Sequence, residues 1–175
     1  MSYECRIYVA SLADYNAGTH HGEWIDFDDC ADAGEVRDRI NAILASSPYA
    51  LKYGLPAEEW AMHDYEGFPD GLGESPSIER LYALYEAVEE HGEAYVEYAE
   101  HVGSQYATVE GFESAYQGQY RNMEEYAEQL VEDCGYLHGM PETLQYYFDY
   151  ERFARDLEIN GDYYITDGGH VFSNH

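Results

Sequence analysis

From Leu81 to Tyr120 the chain carries no Lys or Arg, yet Glu86, Glu89, Glu90, Glu93, Glu97, Glu100, Glu110 and Glu113 all fall within this stretch. No other feature limits the fold as much. A salt-bridged helical surface interleaves opposite charges three or four residues apart. Here the glutamates have no such partners, so they must face solvent. The imbalance extends to the whole chain, where 36 Asp+Glu stand against 8 Lys+Arg for a formal net charge of -28. A small soluble domain needs a net charge of only about 2–8. Self-repulsion on this scale destabilises a compact state, so the charge calls for a reason outside folding. Disorder is not that reason. Disordered acidic chains are poor in aromatics, whereas this one has 20 Tyr, 6 Phe and 2 Trp and is 45% hydrophobic.

Within the stretch, Ile78, Leu81, Tyr82, Tyr85 and Val88 recur at the helical period, which predicts helix over 78–102 with Ser77 as N-cap. Gly92 either interrupts this helix or leaves it kinked. If it is continuous, Glu86, Glu90, Glu93, Glu97 and Glu100 form one stripe. At a rise of about 1.5 Å per residue, carboxylates then repeat roughly every 5 Å along the axis. Phosphates of one DNA strand advance about 3.4 Å per step, so the row is dense enough to imitate part of a phosphate row. Like charges at this spacing cost helix stability.

The flanking segments predict an α+β fold. Cys5–Leu12, Glu23–Phe27 and Glu59–Tyr65 read as three strands of one small antiparallel sheet, with 14–22 a loop and 46–56 irregular. Asp26, Asp28, Asp29 and Asp32 precede a helix whose inner face is Val36, Ile40, Ile43 and Leu44, with Asp32 and Glu35 in a capping arrangement. Glycines and prolines punctuate 67–77. Residues 121–134 read as an amphipathic helix with Met123, Tyr126, Ala127, Leu130, Val131 and Cys134 inward. Its cap is Asn122 with Glu125, its stop is Gly135, and Glu124, Glu128 and Glu132 point outward. A helix opens at Pro141, and another around Phe153 and Leu157 ends near Asn160–Gly161. A hairpin turns at Asp167-Gly168-Gly169. Three small domains are expected: 1–70 (sheet plus helix), an acidic helical middle at 71–103, and 104–175 (helices plus a small antiparallel sheet).

No phosphate-binding loop or HExxH motif occurs. The acidic run from Asp26 has Ala31 and Arg37 where an EF-hand loop needs Gly and Glu. The histidines are scattered. With 36 acids, close carboxylate pairs arise by chance and say nothing of glycoside hydrolysis. No enzyme activity, metal or cofactor is expected. Cys5, Cys30 and Cys134 are odd in number and form no CxxC, which suits free thiols in a reducing compartment. No signal peptide or span of 18 or so apolar residues is seen, so a cytoplasmic location is expected. An anionic membrane would repel the chain, and nucleic acid, which binds basic surfaces, is excluded as a partner. What remains is a protein with a basic channel. DNA-binding proteins draw much of their affinity from phosphate neutralisation, independent of sequence. A folded surface of dense carboxylates would occupy the same channel.

Several segments carry a family likeness: IYVASLADYN (7–16), GEWIDF (22–27), EEWAMHDYEGFP (58–69), EEYAEQLVED (124–133) and YFDYERFARDLEINGDYY (147–164). In this order, over nearly the whole chain, they resemble the ArdA antirestriction proteins. The resemblance implies a protein of mobile genetic elements that protects incoming DNA by imitating bent B-form DNA and occupying the DNA groove of type I restriction-modification enzymes. It implies three small domains in an elongated, curved homodimer. By position it assigns Glu124, Glu125, Glu128, Glu132 and Asp133 to the acidic surface. The residues themselves add Asp26, Asp28, Asp29, Glu86, Glu89, Glu90, Glu93, Glu97, Glu100, Glu110 and Glu113.

Two other readings compete. An acidic globular domain from a salt-adapted organism would also combine many acids with the single Lys52. An enzyme built on carboxylates would show a pocket with two buried acids of shifted pKa.

Overall fold

In the segment Arg6–Ser11 (β1), Ile7, Val9, Ala10 and Ser11 are buried, as suits the central strand of a sheet. The computed structural model, which describes residues 4–174, pairs β1 antiparallel with Gly22–Asp26 (β2) on one side and with Trp60–Glu66 (β3) on the other. The register runs from Arg6 opposite Asp26 to Ala10 opposite Gly22, and from Arg6 opposite Glu66 to Ser11 opposite Trp60. It slips between Tyr8 and Val9, which face Asp64 and Met62 and leave His63 as a bulge.

Helix Ala33–Ala45 (α2) buries Val36, Ile40, Ile43 and Leu44, and the Asp32 side chain caps it by accepting from the Glu35 N–H at 2.9 Å. Two short helices depart from the expectation: Leu12–Asn16 (α1) takes the end of the predicted first strand and the start of the predicted loop, and Pro48–Tyr53 (α3) lies in the segment expected to be irregular. Their cause is a tertiary clamp. The fully buried Asp14 carboxylate accepts from the Ser47 hydroxyl at 2.5 Å and from the Tyr49 N–H at 2.8 Å. Ser47 also caps α3 through the Ala50 N–H. The partners lie more than thirty residues apart in sequence, beyond any local pattern.

The predicted 78–102 helix is two helices, Ile78–His91 (α4) and Glu93–Val102 (α5). Gly92 between them has φ 62° and ψ −143°, a conformation essentially reserved for glycine. Ser77 caps α4 through the Arg80 N–H. Helix α4 seals the first core, where Phe27 packs edge-on to Phe68 at 5.0 Å and against Tyr82 and Tyr85 at 6.1 and 5.6 Å.

The chain divides into two compact units between Tyr106 and Ala107, and residues 71–103 group with the first. The second unit contains Val109–Ala115 (α6), Tyr116–Gln119 (β4), Met123–Asp133 (α7), Glu142–Gln145 (α8), Tyr150–Ile159 (α9), Tyr163–Ile165 (β5) and His170–Ser173 (β6). Its antiparallel sheet has the order β4-β6-β5. The core joins Met123, Tyr126 and Ala127 of α7 to Ala154 and Leu157 of α9 and to Val171. Half of the expected box forms: Asn122 accepts from the Glu125 N–H, but Glu125 reaches past the cap to accept from the Arg121 N–H instead of that of Asn122. Gly135, at φ 64°, ends α7 in a left-handed turn, with the Gly135 and Tyr136 N–H groups returning to Glu132 and Val131. Cys134, expected on the inner face, is exposed, because it is the capping residue where the helix turns away.

The fold is therefore α+β, as the sequence predicts, and the described residues form two small antiparallel sheets of three strands, the second gaining β4 beyond the predicted hairpin.

Candidate functional site

Desolvating an unpaired carboxylate costs several kcal/mol, and eight cations cannot pair thirty-six acids. The carboxylates should therefore line the surface. Of the sixteen chosen from sequence, all are exposed except Asp26, Glu97 and Glu125, which are half-buried. The few cations are largely occupied. Arg6 pairs with Glu66 at 2.6 Å, Arg37 with Glu79, Arg39 with Asp29 at 3.8 Å, Arg121 with Glu125 at 2.9 Å and Arg155 with Glu151 at 3.5 Å. Arg80 donates to the Ser104 carbonyl, and Lys52 lies 5.0 Å from the Tyr53 ring centre. Among the described residues, Glu86, Glu89, Glu93, Glu110, Glu113, Glu124, Glu128 and Glu132 form no ion pair with Lys or Arg.

In the first unit, acids from distant segments come together. The 3-10 turn Phe27–Asp29 carries Asp28 and Asp29 off the end of β2, and the Tyr85 hydroxyl of α4 donates to Asp28 at 3.0 Å. Burial, then that hydrogen bond and the charges of Asp28 and Glu89, push the Tyr85 hydroxyl well above the usual tyrosine range. Burial first, then Glu89 and Asp28, push the Cys5 thiol up to about 12. Tyr82 is raised by burial and then by Glu86 and Asp32. The same carboxylates thus act on neighbouring groups from α4 and from the β2 end. Glu4, Asp26, Asp28 and Asp29 also border one cavity with Cys5 and Arg6. Sequence spacing missed Glu4 and Asp32 as members of this patch, because strand pairing and the seat of α4 on Phe27 create it. Glu100 on α5 accepts from the Asp70 N–H at 3.3 Å, which adds Asp70 to the acids of that end.

The Gly92 break corrects the single-stripe expectation. Glu86 and Glu90 ride on α4, whereas Glu93, Glu97 and Glu100 ride on α5. In the second unit, Glu124, Glu128 and Glu132 follow the i, i+4 ladder of α7, while Glu125 is drawn into its cap. Glu110 sits in the first turn of α6, which suits the helix dipole, and Glu113 one turn later.

Among the described residues the one buried acid, Asp14, is structural. Burial raises its pKa, but hydrogen bonds from Ser11, Ser47 and the Tyr49 N–H, together with His21, outweigh this and hold it below the usual range. Among the described residues, no group of three or more His, Cys, Asp or Glu is placed to hold a metal ion. No helix among them is long and apolar enough to cross a membrane.

The chain is thus an acidic α+β protein with its carboxylates displayed and most of its cations occupied. The family model described as antirestriction protein (ArdA) matches residues 7–172, nearly the whole chain, and the chain belongs to this family. Its members are antirestriction proteins, inhibitors that act on restriction-modification enzymes. No curated protein matches the chain.

Proposed function

We propose that this protein blocks restriction by imitating DNA. Its carboxylates take the place of phosphates in the DNA-binding groove of a type I restriction-modification enzyme, within the cytoplasm and as a homodimer. The observation that carries this reading is the display of unopposed carboxylates in each unit: on α4, beside Asp28, in the first and on α6 and α7 in the second. A protein that needed its acids for folding would pair or bury them. Instead, adjacent glutamates repel along α4 and α7, each like pair costing a few tenths of a kcal/mol. Phosphate contacts are independent of sequence, so such a surface needs no base-like groups. Membership of an antirestriction family supports a restriction-modification enzyme as the partner.

Cleavage of unmodified DNA by a purified type I enzyme tests the proposal. Near-stoichiometric protein should stop cleavage at low salt, with inhibition weakening steeply as salt rises. Inhibition that is insensitive to salt would show that the contact is not electrostatic.

A further inference from the structure

A cavity of about 470 Å³ opens beside α7 in the second unit. Its lining is divided by chemistry. Glu128 and Glu132, one helical turn apart, supply two carboxylates that have no basic partner among the described residues. Between them Val131 is buried, and Leu137 and Tyr150 add an apolar and an aromatic wall. Gly135, His138 and Gln145 complete the lining.

We infer that this cavity is a socket for one arginine side chain of the protein's target. This rests on the proposed occupation of a basic groove and adds to it a contact that a phosphate row cannot offer. Residues at i, i+4 have Cβ atoms roughly 5–6 Å apart, so their carboxylates can both reach a planar guanidinium with its five donors. Its weak hydration tolerates the apolar floor at Val131 and Leu137, its stem covers that floor, and its plane can stack on Tyr150. A lysine ammonium is compact and strongly hydrated, and would gain less. The other carboxylates of α7 do not line this cavity.

The test uses the full chain and N-acetyl-arginine amide, with N-acetyl-lysine amide as comparison, read by NMR shifts at physiological salt. The arginine compound should bind saturably in the millimolar range, at least five-fold more tightly than the lysine compound, with shifts at Val131, Leu137 and Tyr150. E128Q/E132Q should abolish that preference, whereas E124Q/E158Q, which removes the same charge outside the cavity, should keep it. Thermal melts confirm that both variants fold. Equal binding of the two compounds, or equal losses in the two variants, would overturn the socket in favour of general charge attraction. The outcome is separable from the inhibitory reading. Arginine preference without enzyme inhibition would leave the socket standing and remove the mimicry, and inhibition without arginine preference would do the reverse.

Discussion

The Tyr85 hydroxyl donates to the Asp28 carboxylate at 3.0 Å across 57 residues of chain. This bond ties the acidic turn after β2 to the acidic helix α4, so two patches that look separate in sequence form one surface. Tyr85→Phe should cost about 1 kcal/mol, typical of a single hydrogen bond to a side chain. Because every carboxylate remains, inhibition should persist. A thermal melt beside a cleavage assay checks both, and a large loss of inhibition would mean that the position of Asp28 depends on this bond.

Neutralising α4 should separate stability from function. Glu86 and Glu90 repel at i, i+4, and Glu89 and Glu90 sit at the negative end of the helix dipole. E86Q/E89Q/E90Q should therefore melt at the same or a slightly higher temperature while inhibiting several-fold less well at low salt. Single changes should do little, since the charge is spread over many groups. Unchanged inhibition by the triple variant would remove α4 from the contact surface.

The break at Gly92 should resist substitution. Its φ of 62° and ψ of −143° suit no side chain, and Gly92→Ala should lose about 1–3 kcal/mol. Denaturant unfolding measures this. A neutral effect would indicate that α4 and α5 can join into one helix.

Stability should fall at both ends of the pH scale for opposite reasons. The Cys5 thiol is raised from 9.0 to about 12, and Tyr85, Tyr95, Tyr98, Tyr116 and Tyr126 are raised chiefly by burial. The fold holds these protonated forms more tightly than the unfolded chain does. Their contribution is intact below about pH 9 and is lost as pH rises towards 12. Asp14 has the opposite sign: its lowered pKa favours the fold above the unfolded carboxylate value and is lost as pH falls through the folded one. Melts from acid to alkali should show both flanks. At pH 8 a thiol reagent should reach exposed Cys134 well before buried Cys5 and Cys30.

Salt should act in opposite directions on folding and binding. Screening relieves self-repulsion, so the melting temperature should rise with added salt while inhibition falls. The salt-adapted reading predicts an unfolded chain in low salt, which a circular dichroism spectrum at low ionic strength would reveal.

The sequence signals that held were local. Asp32, Ser77 and Asn122 announce their helices through their own side chains. The Asp167-Gly168-Gly169 turn announces β5 and β6. Exposure of the acids was legible too, because charge without counter-charge has nowhere else to go. Elements made by distant partners were not legible. Helices α1 and α3 exist around Asp14 and Ser47, and β4 carries Gln117, Gly118 and Gln119, which lack a strand signature until β6 pairs with them. The same holds at the surface. The row of glutamates is visible in the sequence, whereas its break at Gly92 and the approach of Glu89 and Asp28 to Cys5 depend on how α4 seats on Phe27.

Competition for a purified type I methyltransferase tests the central claim most directly. A labelled DNA duplex bound to the enzyme should be displaced by near-stoichiometric amounts of this protein at low salt. The E86Q/E89Q/E90Q variant should displace it less well. DNA that stays bound in the presence of a large excess of protein would contradict the account.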